Sequence, residues 1–207
     1  TVYEHLYRSV EFLYNFRGID GFIRIWGGDW NDCMNRAGLE GRGVSVWLSI
    51  AWCRAAKMFA EIADIYGKPE DARLARERYA EMKEIIEQHG WDGEYYIDAI
   101  NDDGIKIGSK ECEEGKMFLI PQIWSVFSGV SRSGRELMAM DSVEKYLADN
   151  VLLAYKSDYT AATVNGRLSF ISHYKIVVLR HLIGKFHIAL AQRLLRDIRL
   201  VQFRAVE

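Results

Sequence analysis

The sequence predicts an all-α domain, and three observations lead to this expectation. Apolar residues recur at helical spacing in several segments that capping residues and glycines bound. The sequence shows neither strand–helix–strand alternation nor a glycine-rich phosphate fingerprint. Short β-type runs separated by Asp-Gly turn signals occupy residues 89–107, which predicts a small hairpin excursion. A chain of 207 residues, 49% of them apolar, is long enough to bury a sizeable core.

The first helix is predicted by apolar residues at helical spacing between Tyr3 and Tyr14. Thr1 and Glu4 have the spacing of a capping box at its start, and Gly18 fits its end. After it, residues 22–26 favour a short extended segment that leads into a loop over residues 27–43.

Two further helices are predicted over residues 44–66 and from Pro69 to about Gln88. Gly67 fits the end of the former, and Pro69 fits the first turn of the latter. The helix over residues 44–66 is expected to bury one apolar face, made of Leu48, Ala51, Ala55, Phe59, Ile62 and Ile65.

The last two predicted helices follow the hairpin excursion. Pro121 introduces a short helix over residues 122–128, and Gly129 ends it. Ser131 can cap another helix over about residues 132–148. The order of elements is therefore helix, loop, two helices, hairpin and two helices.

The charge distribution divides the chain at about residue 150. Residues 1–150 hold 18 Lys/Arg and 26 Asp/Glu, whereas residues 151–207 hold 9 and 3. We therefore expect a helical domain over 1–150 and a divergent, basic and apolar segment over 151–207. That segment fits a buried helix pair broken near Gly184, and a basic helix lying on a membrane or a partner is the alternative.

Composition also limits the class of protein. A net charge of −2 favours neither nucleic acid nor an anionic membrane as a partner. The 3 cysteines are widely spaced and fit reduced thiols in a cytoplasmic protein, and they offer no metal-binding spacing. No targeting or membrane-spanning run is apparent, so the expected location is the cytoplasm.

The segment Trp26-Gly-Gly-Asp-Trp-Asn-Asp-Cys-Met-Asn35 has the composition of a sugar site. Asp29 and Asp32 offer carboxyl groups for acid chemistry at a glycosidic oxygen. Trp26 and Trp30 offer flat apolar faces for a sugar ring, and the asparagine amides can bond to hydroxyls.

Five segments of the chain are similar to the catalytic region of glycoside hydrolase family 94, the inverting disaccharide and oligosaccharide phosphorylases and the phosphorylase-like part of cyclic β-1,2-glucan synthases. They are residues 25–35, Gly-Arg-Gly-Val-Ser-Val-Trp-Leu48, Trp91-Asp-Gly-Glu-Tyr-Tyr96, Asp102-Asp-Gly104 and residues 114–124. The resemblance covers about residues 1–150. It implies part of an (α/α)6 barrel, a six-hairpin toroid, which agrees with the predicted helices.

The resemblance also implies a reaction and its residues. A glycosyltransferase of this family acts as a glycoside phosphorylase, cleaving a β-glucoside with inorganic phosphate as co-substrate to give an α-sugar 1-phosphate. Its general acid corresponds to Asp32, and Trp30 lines the sugar site. No cofactor or metal is expected, the partners are sugar and phosphate, and the parent enzyme is expected to form a homodimer.

The remaining candidates keep two interpretations each. The Asp32 carboxyl must hold its proton near neutrality, so its pKa should be raised by apolar surroundings or a nearby carboxylate. Asp29 either supplies that effect or binds loop amides. Asn31 and Gln122 either bind sugar hydroxyls or brace loops. Arg24 and Arg42 either meet phosphate or form surface ion pairs, the latter being favoured.

Family motifs expected downstream of residue 124, which supply acceptor and phosphate contacts, are missing. We therefore expect a fragment of a longer enzyme with impaired activity. One alternative is an inverting (α/α)6 hydrolase, which needs a second carboxylate about 6.5–9.5 Å from the acid to activate water. Asp102, Glu113 and Glu114 are its candidates. The other alternative is a non-catalytic helical fragment that binds glycans or a subunit.

Overall fold

Helices dominate the part of the chain that the computed structural model describes, which is residues 1–26, 34, 36–132 and 134–147. The helices are α1 (Val2–Asn15), α2 (Val46–Ile65), α3 (Pro69–Ile85), α4 (Leu119–Ser128) and α5 (Arg135–Leu147). The strands are β1 (Ile23–Arg24), β2 (Val44–Ser45), β3 (Ala99–Ile100) and β4 (Lys106–Ile107). A 3-10 turn (Ile19–Gly21) precedes β1, and a π turn (Ile86–Gly90) extends α3.

Helix α1 begins as predicted, with a complete capping box. The Glu4 backbone N–H donates to Thr1 Oγ1 at 3.2 Å, and the Thr1 amino group donates to a Glu4 carboxylate oxygen at 2.8 Å. The helix ends at Asn15 rather than near Gly18, because the Phe16 carbonyl accepts from the Arg24 amide at 3.1 Å. The chain therefore turns back toward β1 earlier than the glycine suggested.

Helix α2 begins two residues later than predicted, because Val44 and Ser45 form β2. The Ser45 hydroxyl then caps the helix by accepting from the Leu48 amide at 3.0 Å. The predicted buried face was right only in part: Phe59 is buried, and Leu48 and Ala51 are half-buried. Ala55 is exposed, as are Ile62 at 37% and Ile65 at 88%. Helix α2 is apolar on most sides, so periodicity did not identify the face that its neighbours cover.

The core lies between α1, α2 and α3 and continues to α4. Small residues where α2 meets α3, such as Ala56, Ala60 and Ala72, are almost completely buried and allow close helix packing. Trp52 fills the space beneath α1 and donates from its indole N–H to the Val10 carbonyl at 2.9 Å. Trp52 and Trp47 are both buried.

The four strands form one antiparallel sheet in the order β1-β2-β3-β4. The predicted hairpin is the β3–β4 pair, with Ala99 opposite Ile107. The sheet is larger than expected because β2 adds to β3 and β1 adds to β2. It therefore brings the start and the end of the 27–43 loop next to the hairpin.

Helix α4 begins at Leu119, three residues before the prediction, and ends as predicted at Gly129. Gly129 adopts a left-handed conformation with φ of 70°. Helix α5 lies within its predicted range, and the predicted final residue, 148, lies beyond the described part. No helix in the described ranges has the length and apolar character required to cross a bilayer.

The described residues 1–147 belong to one compact unit. They confirm a mostly helical fold with a small antiparallel sheet. The (α/α)6 barrel and the boundary at residue 150 stay predictions. The predicted segment 151–207 lies outside the described residues.

Candidate active site

The central part of the sugar-site motif lies outside the described residues, which exclude 27–33 and 35. This range holds Asp29, Trp30, Asn31 and Asp32, so their roles stay predictions. The structure does describe the residues on both sides of this range, and these show how the motif is framed.

The two limbs of the 27–43 loop are held side by side at their base. Strands β1 and β2 pair with Ile23 opposite Ser45, and the Ile25 amide donates to the Gly43 carbonyl at 2.9 Å. Gly43 is required where the chain closes, because a Cβ there would lie 2.3 Å from the Ala37 carbonyl oxygen. The loop therefore leaves and rejoins the sheet at a narrow neck, which residues 23–25 and 43–45 form.

An apolar cluster lies under this neck. Met34 is 2% exposed and is the last motif residue that the structure describes. It anchors the returning limb to the sheet through apolar contact, which the removal of its side chain from water stabilises. The cluster consists of Ile25, Met34, Ala37, Ala99, Ile107 and Phe118.

Asp102, from the hairpin between β3 and β4, binds the returning limb through its carboxylate. The amides of Glu40, Arg42 and Gly43 each donate to this carboxylate at 2.8 Å. The Asp102 amide donates to the Ala37 carbonyl at 2.8 Å, so its main chain joins the same limb. Although burial alone raises the pKa of Asp102, the three backbone donors lower it below its usual range.

The predicted sugar platform Trp26 lies at the entry to the motif and is 42% exposed. Its φ is 55°, a left-handed conformation that is strained for a bulky residue. Phe12 of α1 and Phe16, the residue that follows this helix, contact the indole in edge-to-face geometry, with ring centroids 6.1 and 5.2 Å away. Helix α1 therefore supports the entry limb, and an aromatic surface remains accessible there.

Gln122 braces a loop, which is one of the two roles that the sequence left open. Its side chain is completely buried, and its amide donates to the carbonyls of Tyr96 at 2.7 Å and Phe118 at 3.0 Å. Its carbonyl accepts from the Tyr96 amide at 2.9 Å. With these groups bonded to backbone, the contacts match bracing and offer nothing to a sugar hydroxyl.

Sequence reasoning missed a buried carboxylate at Glu87, in the π turn. Its side chain is fully buried and accepts from the Tyr96 hydroxyl and the Arg135 guanidinium, both at 2.5 Å. Burial and this bond to Glu87 raise the pKa of Tyr96. An acidic residue directly after the apolar Ile85 and Ile86 was the signal that could have identified it.

The resembling segment 91–96 also carries a buried polar brace. Asp92 accepts from the Ser109 hydroxyl at 3.0 Å and from the Lys110 amide at 2.7 Å. This joins the start of the hairpin region to the turn that follows β4. Asp92, Asp102 and Gln122 thus lie in segments that resemble the family, and their side chains bond to other parts of this chain. We call these three residues the frame.

The two candidate cations make protein contacts at the surface. Arg42 forms an ion pair with Glu40 at 2.7 Å, which confirms the favoured interpretation for this residue. Arg24 donates to the Arg17 carbonyl at 3.0 Å. Glu113 and Glu114 are exposed. Across the described ranges, no cluster of three or more His, Cys, Asp or Glu side chains is placed to hold a metal ion.

Comparison with known proteins places these features in a family. The model for the glycosyl hydrolase 94 superfamily, catalytic domain, matches residues 1–178. The chain is 41% identical over 150 residues to the cyclic β-(1,2)-glucan synthase NdvB of Rhizobium meliloti, covering 72% of this chain and 5% of that protein.

Two phosphorylases show similar relationships. Solabiose phosphorylase of Paenibacillus borealis is 38% identical over 69% of this chain and 19% of its own length. The N,N'-diacetylchitobiose phosphorylase of Vibrio proteolyticus is 33% identical over 71% of this chain and 18% of its own length. The chain thus spans less than a fifth of the length of each relative.

A solved structure shows a similar fold. The GH78 family rhamnosidase of Bacillus sp. GL1 superposes with a TM-score of 0.52 at 17% identity, over 72% of this chain and 15% of that one. At this identity the likeness concerns the fold alone.

Proposed function

Since this chain belongs to the glycosyl hydrolase 94 superfamily, we propose that it carries the acid motif of an inverting glycoside phosphorylase acting on a β-glucoside. The observation that carries this proposal is the family match over residues 1–178, which includes both the acid motif and the segments that frame it. Relatives named as phosphorylases at 33–38% identity support phosphate as the co-substrate.

In the proposed reaction, Asp32 protonates the glycosidic oxygen as the bond to the leaving sugar breaks. Phosphate attacks the anomeric carbon from the opposite face and yields an α-sugar 1-phosphate. Trp30 and Asn31 contact the sugar, and Asp29 tunes the acid or binds the loop. Phosphate is itself the nucleophile, so the reaction requires one protein acid and no protein base.

The frame supports phosphorolysis over hydrolysis. A hydrolase would need a second carboxylate as a base. Of the three candidates for that role, Asp102 already accepts from three backbone amides. Glu113 and Glu114 are exposed. None of these three candidates is therefore a free, enclosed carboxylate.

The architecture of the parent domain follows as a proposal of the same kind. Helix α2 packs on α3, and α4 packs on α5, which supports successive helical hairpins of an (α/α)6 barrel. The barrel needs further helices, and the chain spans 19% of the length of solabiose phosphorylase. We therefore expect this chain alone to turn over more slowly than a full-length relative.

The test is incubation of the chain with β-1,2-, β-1,3- and β-1,4-linked glucose disaccharides, with and without phosphate. Phosphorus NMR would detect an α-sugar 1-phosphate, and released glucose is measured in parallel. The 41% identity to NdvB makes the β-1,2 linkage the first to examine. We expect sugar phosphate to form only when phosphate is present.

Asp32→Asn identifies the acid, and Asp103→Asn is its control because it makes the same change at an exposed position. We expect Asp32→Asn to lower phosphorolysis of disaccharides by about 100-fold or more. The same variant should retain most of its rate on 2,4-dinitrophenyl β-glucoside, whose leaving group needs no proton. Phosphate-independent release of glucose would favour the hydrolase, and unchanged turnover in Asp32→Asn would contradict the assigned acid.

A further inference from the structure

Asp102 connects two parts of the chain that lie about sixty residues apart. Its carboxylate accepts from the amides of Glu40, Arg42 and Gly43 at 2.8 Å each. Its carbonyl accepts from Arg42 Nε at 2.9 Å, and its amide donates to the Ala37 carbonyl at 2.8 Å. Five hydrogen bonds thus join one hairpin residue to the limb that returns from the acid motif.

The hairpin end of this connection is itself held firmly. The Asn101 side chain accepts from the amides of Asp103 at 3.0 Å and Ile105 at 2.8 Å, which shapes the turn that carries Asp102. Strand β3 pairs with β2 and β4 on its two sides. Asp102 therefore projects from a braced turn, and the limb at residues 37–43 is the part that it fixes.

The charge on Asp102 is suited to this role. Three N–H donors converge on one carboxylate, and charge-assisted bonds of this kind are about twice as strong as neutral ones. The Arg42 guanidinium adjoins the same residue. An asparagine would keep one acceptor oxygen and present an N–H₂ group where the second oxygen now accepts, so it cannot reproduce all three bonds.

We infer that Asp102 is a positioning residue: its bonds to residues 37–43 set the course of the limb that follows the acid motif, and thereby the placement of the Asp32 carboxyl on the glycosidic oxygen. This inference rests on the proposed function. It replaces the assignment of Asp102 as a water-activating base. Small displacements of a catalytic group cost rate even when the substrate still binds.

The first experiment compares two leaving groups in Asp102→Ala, Asp102→Asn and the control Asp103→Asn, with rates normalised to the folded fraction. For Asp102→Ala we expect kcat for disaccharide phosphorolysis to fall about 100-fold with KM within about twofold. With 2,4-dinitrophenyl β-glucoside, which needs no acid, kcat should fall less than about threefold. For the disaccharide, the kcat of Asp102→Asn should lie between those of Asp102→Ala and the wild type. The kcat of Asp103→Asn should match that of the wild type. Equal losses on both substrates would overturn the inference.

The second experiment is independent of the proposed function. Cys33 lies next to Asp32 in the sequence, whereas Cys112 lies elsewhere and Cys53 is buried. Alkylation of each thiol by iodoacetamide is followed by mass spectrometry on the full chain, together with hydrogen exchange of the amides over 37–43. In Asp102→Ala we expect the alkylation rate of Cys33 to change at least threefold and that of Cys112 to stay constant. The hydrogen-exchange rate of the amides over residues 37–43 should rise at least tenfold.

Together, the two experiments distinguish failure of the positioning role of Asp102 from failure of the proposed function. Unchanged Cys33 alkylation and unchanged exchange over residues 37–43 would overturn the positioning role whatever the activity. If the wild-type chain forms no sugar phosphate while Asp102→Ala still changes both reporters, the proposed function fails and the structural connection stands. Asp103→Asn should leave both reporters unchanged, because its side chain is exposed and lies one residue away.

Discussion

The helical core and the frame around the acid motif differ in what stabilises them. Between α1, α2 and α3, buried apolar side chains such as Trp52, Phe59 and Met82 contact one another over a continuous cluster. Around the loop neck and the hairpin region, polar side chains add to the small apolar cluster: the half-buried Asp102 and the buried Gln122 each bond to backbone groups of another segment.

The two kinds of contact are expected to respond differently to substitution. Apolar contact is non-directional and shared among many neighbours, so losing one side chain leaves a cavity and lowers the stability of the whole domain. A buried polar brace satisfies particular backbone groups, and its removal leaves those groups without partners at one place. We therefore expect core substitutions to act globally and frame substitutions to act first on local structure.

The largest expected effect comes from Trp52→Ala in the core. Trp52 is 1% exposed, so truncation should leave a large cavity and deprive the Val10 carbonyl of its 2.9 Å bond. We expect the free energy of unfolding to fall by about 3–5 kcal/mol. Urea denaturation followed by circular dichroism measures this change.

Trp52→Phe is the matched control, because it removes the indole N–H and less volume. Its loss should be clearly smaller than that of Trp52→Ala. Hydrogen exchange over residues 37–43 should change in both variants only as much as global unfolding requires. Selective opening of that limb in Trp52→Ala would contradict the distinction between core and frame.

The next effect comes from Gln122→Met in the frame. This change keeps the approximate volume but leaves the Tyr96 N–H and carbonyl without the amide that bonds to both. We expect a loss of about 2 kcal/mol, since each unsatisfied buried group costs about 1–3 kcal/mol and the added apolar burial offsets part of it. Thermal unfolding measures the loss.

Exchange of the Tyr96 amide should rise in Gln122→Met before the core opens. Gln88→Met is the control, because Gln88 is exposed and its side-chain amide donates to the exposed carboxylate of Glu84 at 2.7 Å. It should change stability by less than about 0.5 kcal/mol. If Gln122→Met opened the core and the frame together, the two regions would form one cooperative unit.

The same difference explains what could be predicted from the sequence. Helices are local, so the capping box at Thr1, the Pro69 start of α3 and the Gly129 end of α4 followed from neighbouring residues. The buried face of α2 did not, because its apolar residues surround the helix and only its neighbours decide which ones are covered.

The frame was hard to predict for a physical reason. Asp102 binds amides about sixty residues away, and Gln122 binds Tyr96 twenty-six residues away. Such partners are set by the sheet, which joins β1 and β2 to the hairpin, and no local spacing encodes them. The family resemblance indicated the segments that matter, but not that several of their polar residues form the frame.

The smallest loss of stability is expected at Tyr79, a half-buried residue of α3. Its hydroxyl joins α3 to the end of α4. Its hydroxyl donates to the Gly129 carbonyl at 2.8 Å, and burial raises its pKa from 10.0 to about 12. Tyr79→Phe should lower stability near neutrality by about 0.5–1.5 kcal/mol through the lost bond. Because the folded pKa is raised, this contribution is complete below pH 10 and disappears as the pH rises through about 12.

The wild type should therefore lose more stability between pH 10 and pH 12 than Tyr79→Phe does, and urea midpoints measured at each pH give the difference. Other tyrosines, including Tyr14, titrate in both proteins and cancel in this comparison. Tyr66→Phe is the control for the loss of a hydroxyl at an exposed position, because Tyr66 is 58% exposed, and it should change stability at neutral pH by less than about 0.5 kcal/mol. Parallel profiles for the wild type and Tyr79→Phe would mean that the α3–α4 contact depends on apolar packing alone, like the rest of the core.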